Sequence, residues 1–447
     1  MSQSTTAPIQ VSADSVESIA RRARAASRSL ARLSLETRNA VLAAAADAIE
    51  QNSARILAAN EIDCKAAEAA VLAGKMSGPL LARLRVSEGG VHQMATQVRE
   101  VARLADPLSR NLATTELDDG LVLYKESCPL GVVGVVFESR PDVVPQLASL
   151  ALKSGNAVIL KGGSEAANSN QALVAIWREA LVTFPEVPLD SINLLHTRTD
   201  VLELLQLDRD VDLIIPRGSY DLVNFIMKNS RVPVLGHGEG ICHVYVDRAA
   251  DVDKAVAITY DAKVQYPAVC NAAETVLVHE AVAQSFLPRV VSKLKAAKVE
   301  VRGCPRTLAA LPGEGIVAAT EEDWSTEYSD LILSIRIVSD LDEAIDHVNR
   351  YGSRHTDAIV TEDSAAAARF MNEVDSAGVF HNASTRFADG FRYGFGAEVG
   401  ISTSKLHARG PMGLEGLTSY KYKLIGQGHT VAEYAKGEKQ FKHRRLD

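Results

Sequence analysis

Short apolar segments alternate with longer segments of helical periodicity through the middle of the chain, and this alternation constrains the fold more than any other feature. Strands and helices that alternate in this way need crossover connections, so they predict a parallel sheet covered by helices on both faces. Ligands of such sheets bind at the carboxyl ends of the strands. The predicted strands cover residues 132–137, 157–161, 192–195 and 211–215, and the predicted helices cover residues 143–153, 168–183, 200–207 and 219–229.

A second block with the same alternation follows, so we expect a second α/β domain. Before the first block, Ala-rich helical spacing over residues 12–73 predicts two or three packed helices. A strand predicted at residues 121–125 is isolated and needs a partner from elsewhere in the chain. The second block has predicted strands at 274–278, 331–338, 357–360 and 378–382, and predicted helices at 280–298, 341–350 and 364–374.

The charge, the cysteine content and the apolar segments restrict which kinds of ligand or cellular partner the protein could have. The 447 residues have a net charge of −8 with scattered Lys and Arg, which argues against nucleic acid. The five cysteines are odd in number and lack a Cys-x-x-Cys pair, which disfavours a disulfide framework and favours a reducing, cytoplasmic compartment. No apolar run approaches the roughly 20 residues that cross a bilayer, so no membrane partner is expected. Residues 21–38 resemble a transit peptide in composition, but we interpret them as an amphipathic helix of the fold.

Two predicted strand-to-helix turns suit a bound phosphate. Lys161-Gly162-Gly163-Ser164 follows one strand and Arg217-Gly218-Ser219 follows another. Each turn brings backbone N–H groups, a helix start and a cation together. Ordinary turn chemistry explains either turn alone. The Walker phosphate loop and the Gly-x-Gly-x-x-Gly fingerprint are both absent from the sequence, so a dinucleotide would be held in another way.

The segment at residues 236–243 concentrates His237, Glu239, Cys242 and His243. A metal site is one interpretation of such a cluster. Regular ligand spacing is missing, however, and residues 244–246 are typical of a buried strand, so we predict no metal site.

Cys270 lies in a proline-interrupted loop ahead of an apolar segment. A cysteine is more often a small buried hydrophobe than a nucleophile, and a nucleophile at pH 7 would need backbone N–H groups or a helix end to lower the pKa of its thiol. A thiolate can carry an acyl group, and the neighbouring loop offers no obvious hydrolytic base. Together with the upstream units that suit a dinucleotide, this favours reduction of an acyl group.

At this point the motifs identify a family. From about residue 15 to residue 426 the chain closely resembles the glutamate-5-semialdehyde dehydrogenases (gamma-glutamyl phosphate reductases), a branch of the aldehyde dehydrogenase superfamily. The strings that carry the resemblance are FESRP (137–141), LKSGNAVILKGGSEA (152–166), IPRGS (215–219), VLGH (234–237), YPAVCN (266–271), NASTRF (382–387), GFGAEVGIST (394–403) and HARGP (407–411).

The resemblance implies an aldehyde dehydrogenase-like α/β fold with a small β element for oligomerisation. The strands predicted at 121–125 and 418–424 would pair and reach toward another subunit, giving a homo-oligomer, either a dimer or a tetramer. The implied parts are a Rossmann-like parallel-sheet cofactor domain (1–112 and 130–255), an α/β catalytic domain (256–395), the oligomerisation or bridging element (113–129 and 396–430) and a tail (431–447).

The resemblance also implies the positions of the catalytic and cofactor groups. Cys270 matches the catalytic cysteine, and Lys161 matches the lysine at the cofactor ribose. Gly218-Ser219 match the helix start near the pyrophosphate, and Glu327 falls where the family binds the nicotinamide ribose. The other predicted cofactor-binding residues are Gly162, Gly163, Ser164 and Arg217.

Three departures from the oxidative aldehyde dehydrogenases are informative. Their hydrolytic glutamate is absent near His237, so water would not be activated and a thioacyl intermediate would survive. Ser139 stands where they have an oxyanion-binding asparagine, so backbone N–H groups near Cys270, helped by Asn271, would hold the oxyanion. Ser164 replaces the glutamate that holds two ribose hydroxyls in NAD-selective relatives, which favours NADPH.

The implied activity is the NADPH-dependent reduction of L-glutamyl 5-phosphate to L-glutamate 5-semialdehyde and phosphate, the second step of proline biosynthesis from glutamate. A glutamate 5-kinase would be a separate chain. Two alternatives stay open: an NAD-dependent hydrolytic aldehyde dehydrogenase that produces a carboxylate, and a catalytically silent nucleotide-binding scaffold. The substrate's carboxylate and phosphate need cationic or N–H-rich surroundings, and the predicted substrate-binding residues are Arg140, Ser384, Thr385, Arg386 and Arg409.

Overall fold

The computed structural model describes residues 15–236, 238–396 and 398–447, and the chain divides into two compact units. The first unit extends to Gly218 and also contains Ile226–Val234 and Leu417–Asp447. The second unit contains Ser219–Phe225 and Leu235–Gly416.

Several of the helices begin at capping side chains that the sequence supplies. Ser15, Ser34 and Ser87 each accept a hydrogen bond from a backbone N–H in the first turn of the helix that follows. The α-helices are α1 (Val16–Leu30), α2 (Leu35–Gln51), α3 (Ser53–Leu72), α4 (Gly78–Leu84), α5 (Glu88–Arg103), α6 (Val143–Lys153), α7 (Ala167–Leu181), α8 (Arg198–Leu204), α9 (Tyr220–Asn229), α10 (Val252–Val264), α11 (Glu280–Ala296), α12 (Pro305–Ala310), α13 (Leu341–Tyr351), α14 (Ser364–Glu373) and α15 (Val431–Ala435).

Most strands of the two parallel sheets coincide with strongly apolar segments of the chain, because a strand covered on both faces needs apolar side chains in both directions. Seventeen strands form among the described residues. They are β1 (Asn111–Asp118), β2 (Leu121–Pro129), β3 (Val132–Phe137), β4 (Ala157–Lys161), β5 (Ile192–Leu194), β6 (Leu213–Arg217), β7 (Cys242–Val246), β8 (Ala273–His279), β9 (Glu300–Gly303), β10 (Val317–Ala318), β11 (Ile332–Val338), β12 (Thr356–Val360), β13 (Gly378–His381), β14 (Gly400–Ser402), β15 (Gly410–Met412), β16 (Thr418–Ile425) and β17 (Arg444–Arg445).

The first unit contains the predicted parallel sheet, in the order β5-β4-β3-β6. Every residue of β3 is buried. The register pairs Val136 of β3 with Lys161 at the end of β4, and Phe137 of β3 with Arg217 at the end of β6. The two predicted phosphate-binding turns therefore follow strands on either side of β3, at the same edge of the sheet.

An antiparallel sheet in the order β16-β2-β1-β17 completes the first unit. The segment predicted as an isolated strand is part of β2, which pairs with β16, for example through Leu123 and Leu424. This predicted pairing is confirmed. The strands β1 and β17 were not predicted, and β1 supplies the second partner of β2.

The second unit is built on a parallel sheet in the order β10-β9-β11-β8-β7-β12-β13. Its main hydrophobic core joins β7, β8 and β11 to α10 and α11 through side chains such as Val276, Phe286 and Ile335. A short antiparallel pair, β14 and β15, also belongs to this unit. The α/β class and the parallel sheets predicted from the sequence are confirmed.

The boundaries of the units differ from the predicted domain boundaries in three places. Residues 219–225, predicted to belong to the cofactor domain, lie in the second unit. Residues 235–255, predicted to belong to the cofactor domain, lie in the second unit, because β7 hydrogen-bonds to β8 and β12. Residues 396–416, predicted as part of the bridging element, also lie in the second unit. The division of the chain by role stays a prediction. Within the described ranges, every helix is too short or too polar to serve as a membrane span.

Candidate active site

Cys270 lies in the loop that joins α10 to β8, at residues 265–272 of the second unit. Cys270 is half-buried, whereas Asn271 and Ala272 behind it are buried. The N–H of Ala272 donates to the carbonyl oxygen of Val269 at 2.9 Å, which closes a tight turn around the cysteine. The loop thus holds the thiol at the start of a strand in the middle of the sheet.

The segment before β7 packs directly against the backbone of Cys270. A Cβ atom on Gly240 would lie 2.0 Å from the carbonyl oxygen of Cys270 and 2.5 Å from its Cα. The Sγ of Cys242 donates to the same carbonyl oxygen at 3.3 Å. Glycine is therefore required at residue 240 because any side chain there would displace the cysteine.

The charges around the thiol do not favour a thiolate in the free protein. The pKa of Cys270 is raised to about 12, first by burial and then by the carboxylates of Glu327 and Glu398. The loop's own N–H group and the cation of Arg386 act in the opposite direction. A nucleophilic cysteine at pH 7 would need a lowered pKa, whereas the raised pKa keeps the thiol of Cys270 protonated in the free protein.

This direction gives a prediction for the free protein. Below its pKa a thiol gains thiolate about tenfold per pH unit, so alkylation of Cys270 by iodoacetamide should accelerate by that factor for each unit from about pH 7 to about pH 9. Peptide mass spectrometry would separate Cys270 from the other half-buried thiol, Cys128. The substitution Glu327→Gln should increase the rate at fixed pH because it removes a carboxylate that disfavours the thiolate. A plateau of the rate below about pH 9 would contradict the prediction.

Three other predicted site residues, Asn271, Ser384 and Thr385, form hydrogen bonds in and around the loop that carries Cys270. The Oγ1 of Thr385 donates to the carbonyl oxygen of Asn271 at 2.7 Å, and the Nδ2 of Asn271 donates to the carbonyl oxygen of Ala388 at 2.8 Å. Ser384 caps a short 3₁₀ turn and accepts from the N–H of Arg386. The hydroxyl hydrogen of Thr385 is therefore already used within the protein.

Arg386 differs from the other predicted arginines. It is 6% exposed, and its Nε donates to the Oε1 of Gln265, a residue of the Cys270 loop, at 2.9 Å. Among the described residues, no carboxylate forms an ion pair with its guanidinium group. Burial and the neighbouring cation of Arg392 lower the pKa of Arg386 from its usual value. A buried arginine in such surroundings is suited to bind an anion.

The other two arginines predicted to bind the substrate, Arg140 and Arg409, already have carboxylate partners. Arg409 donates to the carbonyl oxygen of Asp375 at 2.9 Å and to its Oδ1 at 3.1 Å. Arg140 is exposed and donates to the Oδ2 of Asp142 at 3.1 Å. The structure brings Arg386 to the cysteine loop and leaves Arg140 and Arg409 in ion pairs elsewhere in their own units.

The predicted cofactor residues of the first unit lie at the carboxyl end of the sheet. Lys161 ends β4, and no described residue makes an ion pair with its ammonium group. A Cβ on Gly162 would lie 2.1 Å from the Nδ2 of Asn170, so this backbone can approach α7 only as glycine. Ser164 is exposed in the turn before α7. The ammonium group of Lys161, without an ion-pair partner among the described residues, lies next to the glycine backbone of residue 162. This arrangement suits the binding of a dinucleotide phosphate.

Ser139 does not present its hydroxyl hydrogen to an oxyanion. Both its backbone N–H, at 2.7 Å, and its Oγ, at 2.6 Å, donate to the Oε1 of Glu165. The backbone of Ser139 adopts a φ of 42°, and a Cβ on Gly163 would lie 1.9 Å from the same carboxylate oxygen. The carboxylate of Glu165 is thus turned back over Gly163 and held by Ser139. The motif at residues 161–164 does not indicate this contact between Ser139 and Glu165.

The other predicted cofactor residues occupy a helix start and a loop. Arg217 ends β6, Gly218 is exposed, and Ser219 immediately precedes α9 and accepts from the N–H of Val223. Glu327, in the second unit, accepts from the N–H of Gly240 through its Oε2 at 2.9 Å. His237, which marked the missing hydrolytic glutamate, lies outside the described residues.

Comparisons with known proteins show the family of the chain. The model of the aldehyde dehydrogenase family matches residues 2–307, and the chain belongs to that family. A gamma-glutamyl phosphate reductase of Synechococcus sp. (strain JA-2-3B'a(2-13)) is 56% identical over 94% of this chain and 92% of that protein. Another, from Pelotomaculum thermopropionicum, is 54% identical over 96% and 97%. The crystal structure of the gamma-glutamyl phosphate reductase of Thermotoga maritima aligns with a TM-score of 0.90 and 42% identity, covering 93% of this chain and all of that one.

Proposed function

We propose that the protein reduces L-glutamyl 5-phosphate to L-glutamate 5-semialdehyde with release of inorganic phosphate. The observation that carries the proposal is the position of a buried arginine, Arg386, which binds the loop of Cys270 through Gln265 and has no carboxylate partner among the described residues. Proteins with more than half of their residues identical to this chain, over nearly its whole length, are named for this reaction. The step belongs to proline biosynthesis from glutamate.

The chemistry uses Cys270 as the nucleophile. The thiolate attacks the acyl carbon, the C–O bond to phosphate breaks, and the glutamyl group is left as a thioester on the sulfur. Bound NADPH supplies the hydride for this carbon. The resulting hemithioacetal collapses, the sulfur leaves as thiolate and the aldehyde is released. The backbone N–H groups of the Cys270 loop and the amide of Asn271 are the candidates for holding the oxyanion, because the hydroxyl hydrogen of Ser139 is bound to Glu165.

Lys161, Gly162, Gly163, Ser164, Arg217, Gly218 and Ser219 are proposed to hold the cofactor, with Glu327 at the nicotinamide ribose. Two observations support NADPH over NADH. The ammonium group of Lys161 has no ion-pair partner among the described residues, and the carboxylate of Glu165, which would repel a 2′-phosphate, is held by Ser139. A 2′-phosphate adds charge that a free ammonium group can neutralise.

Arg386 is proposed to bind the α-carboxylate of the substrate, and this gives a prediction. The substitution Arg386→Met should raise the KM for the acyl substrate about 10- to 100-fold, because a hydrogen bond to a charged group contributes about 1.5–3 kcal/mol. Arg409→Met is the matched control, since Arg409 already pairs with Asp375. Steady-state kinetics at saturating NADPH would measure both. Equal increases in KM for the two variants would contradict the assignment.

One assay tests the proposed function against its alternatives. The protein is incubated with pyrroline-5-carboxylate, the cyclic form of the semialdehyde, and either NADP or NAD, with and without inorganic phosphate. Reduction of NADP that depends strictly on phosphate supports the proposal. Reduction of NAD without phosphate would instead establish a hydrolytic aldehyde dehydrogenase. If neither nucleotide is reduced, the remaining alternative is the catalytically silent nucleotide-binding scaffold.

We also propose a homo-oligomer formed through β16. This strand is the edge of its sheet and carries the exposed side chains of Tyr420, Tyr422 and Leu424 on alternate positions. An exposed apolar edge strand is a template for pairing with another chain. Light scattering should give the mass of a dimer or a tetramer, and Tyr422→Glu should shift it toward the monomer. A monomeric parent protein at micromolar concentration would refute the proposal. A glutamate 5-kinase is proposed as a separate partner enzyme that supplies the substrate.

A further inference from the structure

Lys263 and Glu274 form an ion pair inside the second unit. The Nζ of Lys263 and the Oε2 of Glu274 lie 2.5 Å apart, and the two side chains are 0% and 1% exposed. Lys263 is in the last turn of α10, and Glu274 is the second residue of β8. The pair therefore joins the two ends of the loop that carries Cys270.

The same carboxylate reaches a second segment of the site. The Oε1 of Glu274 accepts from the N–H of Ser329 at 3.4 Å, and the ammonium group of Lys263 lies 5.9 Å from the ring of Tyr328. Two residues before Ser329, Glu327 accepts from the N–H of Gly240. Gly240 in turn packs against the backbone of Cys270. The contacts therefore connect the ion pair, through residues 327–329 and Gly240, to the cysteine itself.

We propose that the Lys263–Glu274 ion pair is a positioning device that fixes the Cys270 loop relative to Glu327. The proposal rests on the proposed function for the roles of Cys270 and Glu327. The other side of the loop is held by the segment at residues 384–388, through Arg386, Thr385 and Ala388. The ion pair supplies the contact on the side of residues 327–329.

The burial of the pair supports a positioning role. Burial raises the pKa of Glu274 and lowers the pKa of Lys263, and the opposite charge of the partner acts against this shift in each group. Apolar side chains of similar volume often stabilise a fold as well as a buried ion pair does. Two directional charges fix a geometry that apolar packing leaves less defined, and a small misplacement of reacting groups has a large effect on rate.

The test is the double variant Lys263→Met with Glu274→Gln, which removes both charges and leaves the net charge of the site unchanged. The single variant Glu274→Gln, which keeps the shape of the side chain, is measured beside it. Lys254→Met is the matched control, because Lys254 is on the same helix but pairs with Glu362 at the exposed surface. Thermal unfolding confirms that each variant is folded under the assay conditions.

We expect kcat of the double variant to fall about tenfold or more, with the KM for the acyl substrate changed less than about threefold. Alkylation of Cys270 in the absence of substrate and NADPH should accelerate by about threefold or more, because the loop opens, while the fully buried Cys242 stays unmodified. A merely less stable protein would expose both thiols together. The control should match the parent in both measurements.

Values of kcat and alkylation rate within about twofold of the parent in a folded double variant would overturn the proposal. Loss of folding in both variants would also overturn it and would assign the pair a purely structural role. The alkylation measurement needs no substrate. A parent protein without acyl-phosphate reductase activity would therefore refute the proposed function and leave the effect of the ion pair on the loop to be decided separately.

Discussion

Replacing Cys270 with serine should reduce kcat by at least about 10³-fold, since enzymes that lose a nucleophile lose most of their rate. Serine keeps the size of the side chain but ionises far less readily than a thiol. The carboxylates of Glu327 and Glu398 already disfavour an anion at this position. Single-turnover kinetics with the acyl substrate would measure the loss, and thermal unfolding should show a melting temperature close to that of the parent.

Cys128→Ser is the control for this substitution, because Cys128 is also half-buried and lies in β2 of the first unit. Its activity should equal that of the parent. Mass spectrometry of the parent protein with a slow acyl donor should find the glutamyl adduct on the peptide that contains Cys270. An adduct on any other side chain, or activity of the serine variant above about 1% of the parent, would refute the thioester mechanism.

Replacing Gly240 with alanine should reduce kcat by about 100-fold, since a shift of about 1 Å in a reacting group can cost that much. The added Cβ would meet the carbonyl oxygen, Cα and carbonyl carbon of Cys270 at 2.0, 2.5 and 2.6 Å. All three are backbone atoms, so they can give way only if the cysteine itself moves. The N–H of Gly240 that binds Glu327 would move with it.

Gly238→Ala is a close control, in the same loop and with the same added methyl group. Its Cβ would lie 3.1 and 3.3 Å from ring carbons of Tyr220, a side chain that can rotate away. We expect its kcat to stay within about threefold of the parent. Both kcat and the alkylation rate of Cys270 would be measured. Equal losses in the two variants would show that the loop tolerates no substitution and that the contact with Cys270 is not the cause.

Strongly apolar elements could be predicted from the sequence with high accuracy. The bounds of β3, β4 and α6 match the predicted segments residue for residue. Each of these elements is almost completely buried, so its apolar pattern has no competing signal. The helix α10 was not predicted, and Lys263 in its last turn is buried although lysine is usually exposed.

The candidate site could be predicted less completely. The motifs predicted the cysteine loop and two turns suited to a phosphate, but they did not distinguish the arginines from one another or indicate that Glu165 binds Ser139. Glu274 is a charged residue near the start of the mostly apolar strand β8, and this pattern in the sequence could have indicated a buried ion pair. Such a residue needs a buried partner, and the sequence does not name it.

The sequence by itself determined the class of fold and the family, and it predicts Cys270 as the nucleophile. These depend on local patterns of apolar residues and on short motifs, which are properties of neighbouring residues in the chain. Only the tertiary structure decided that Arg386 has no carboxylate partner among the described residues while Arg409 is paired, that Ser139 binds Glu165 and that Glu274 joins Lys263 to Ser329. Each of these contacts depends on a distance between segments that folding brings together, and the pattern of the sequence does not contain that distance.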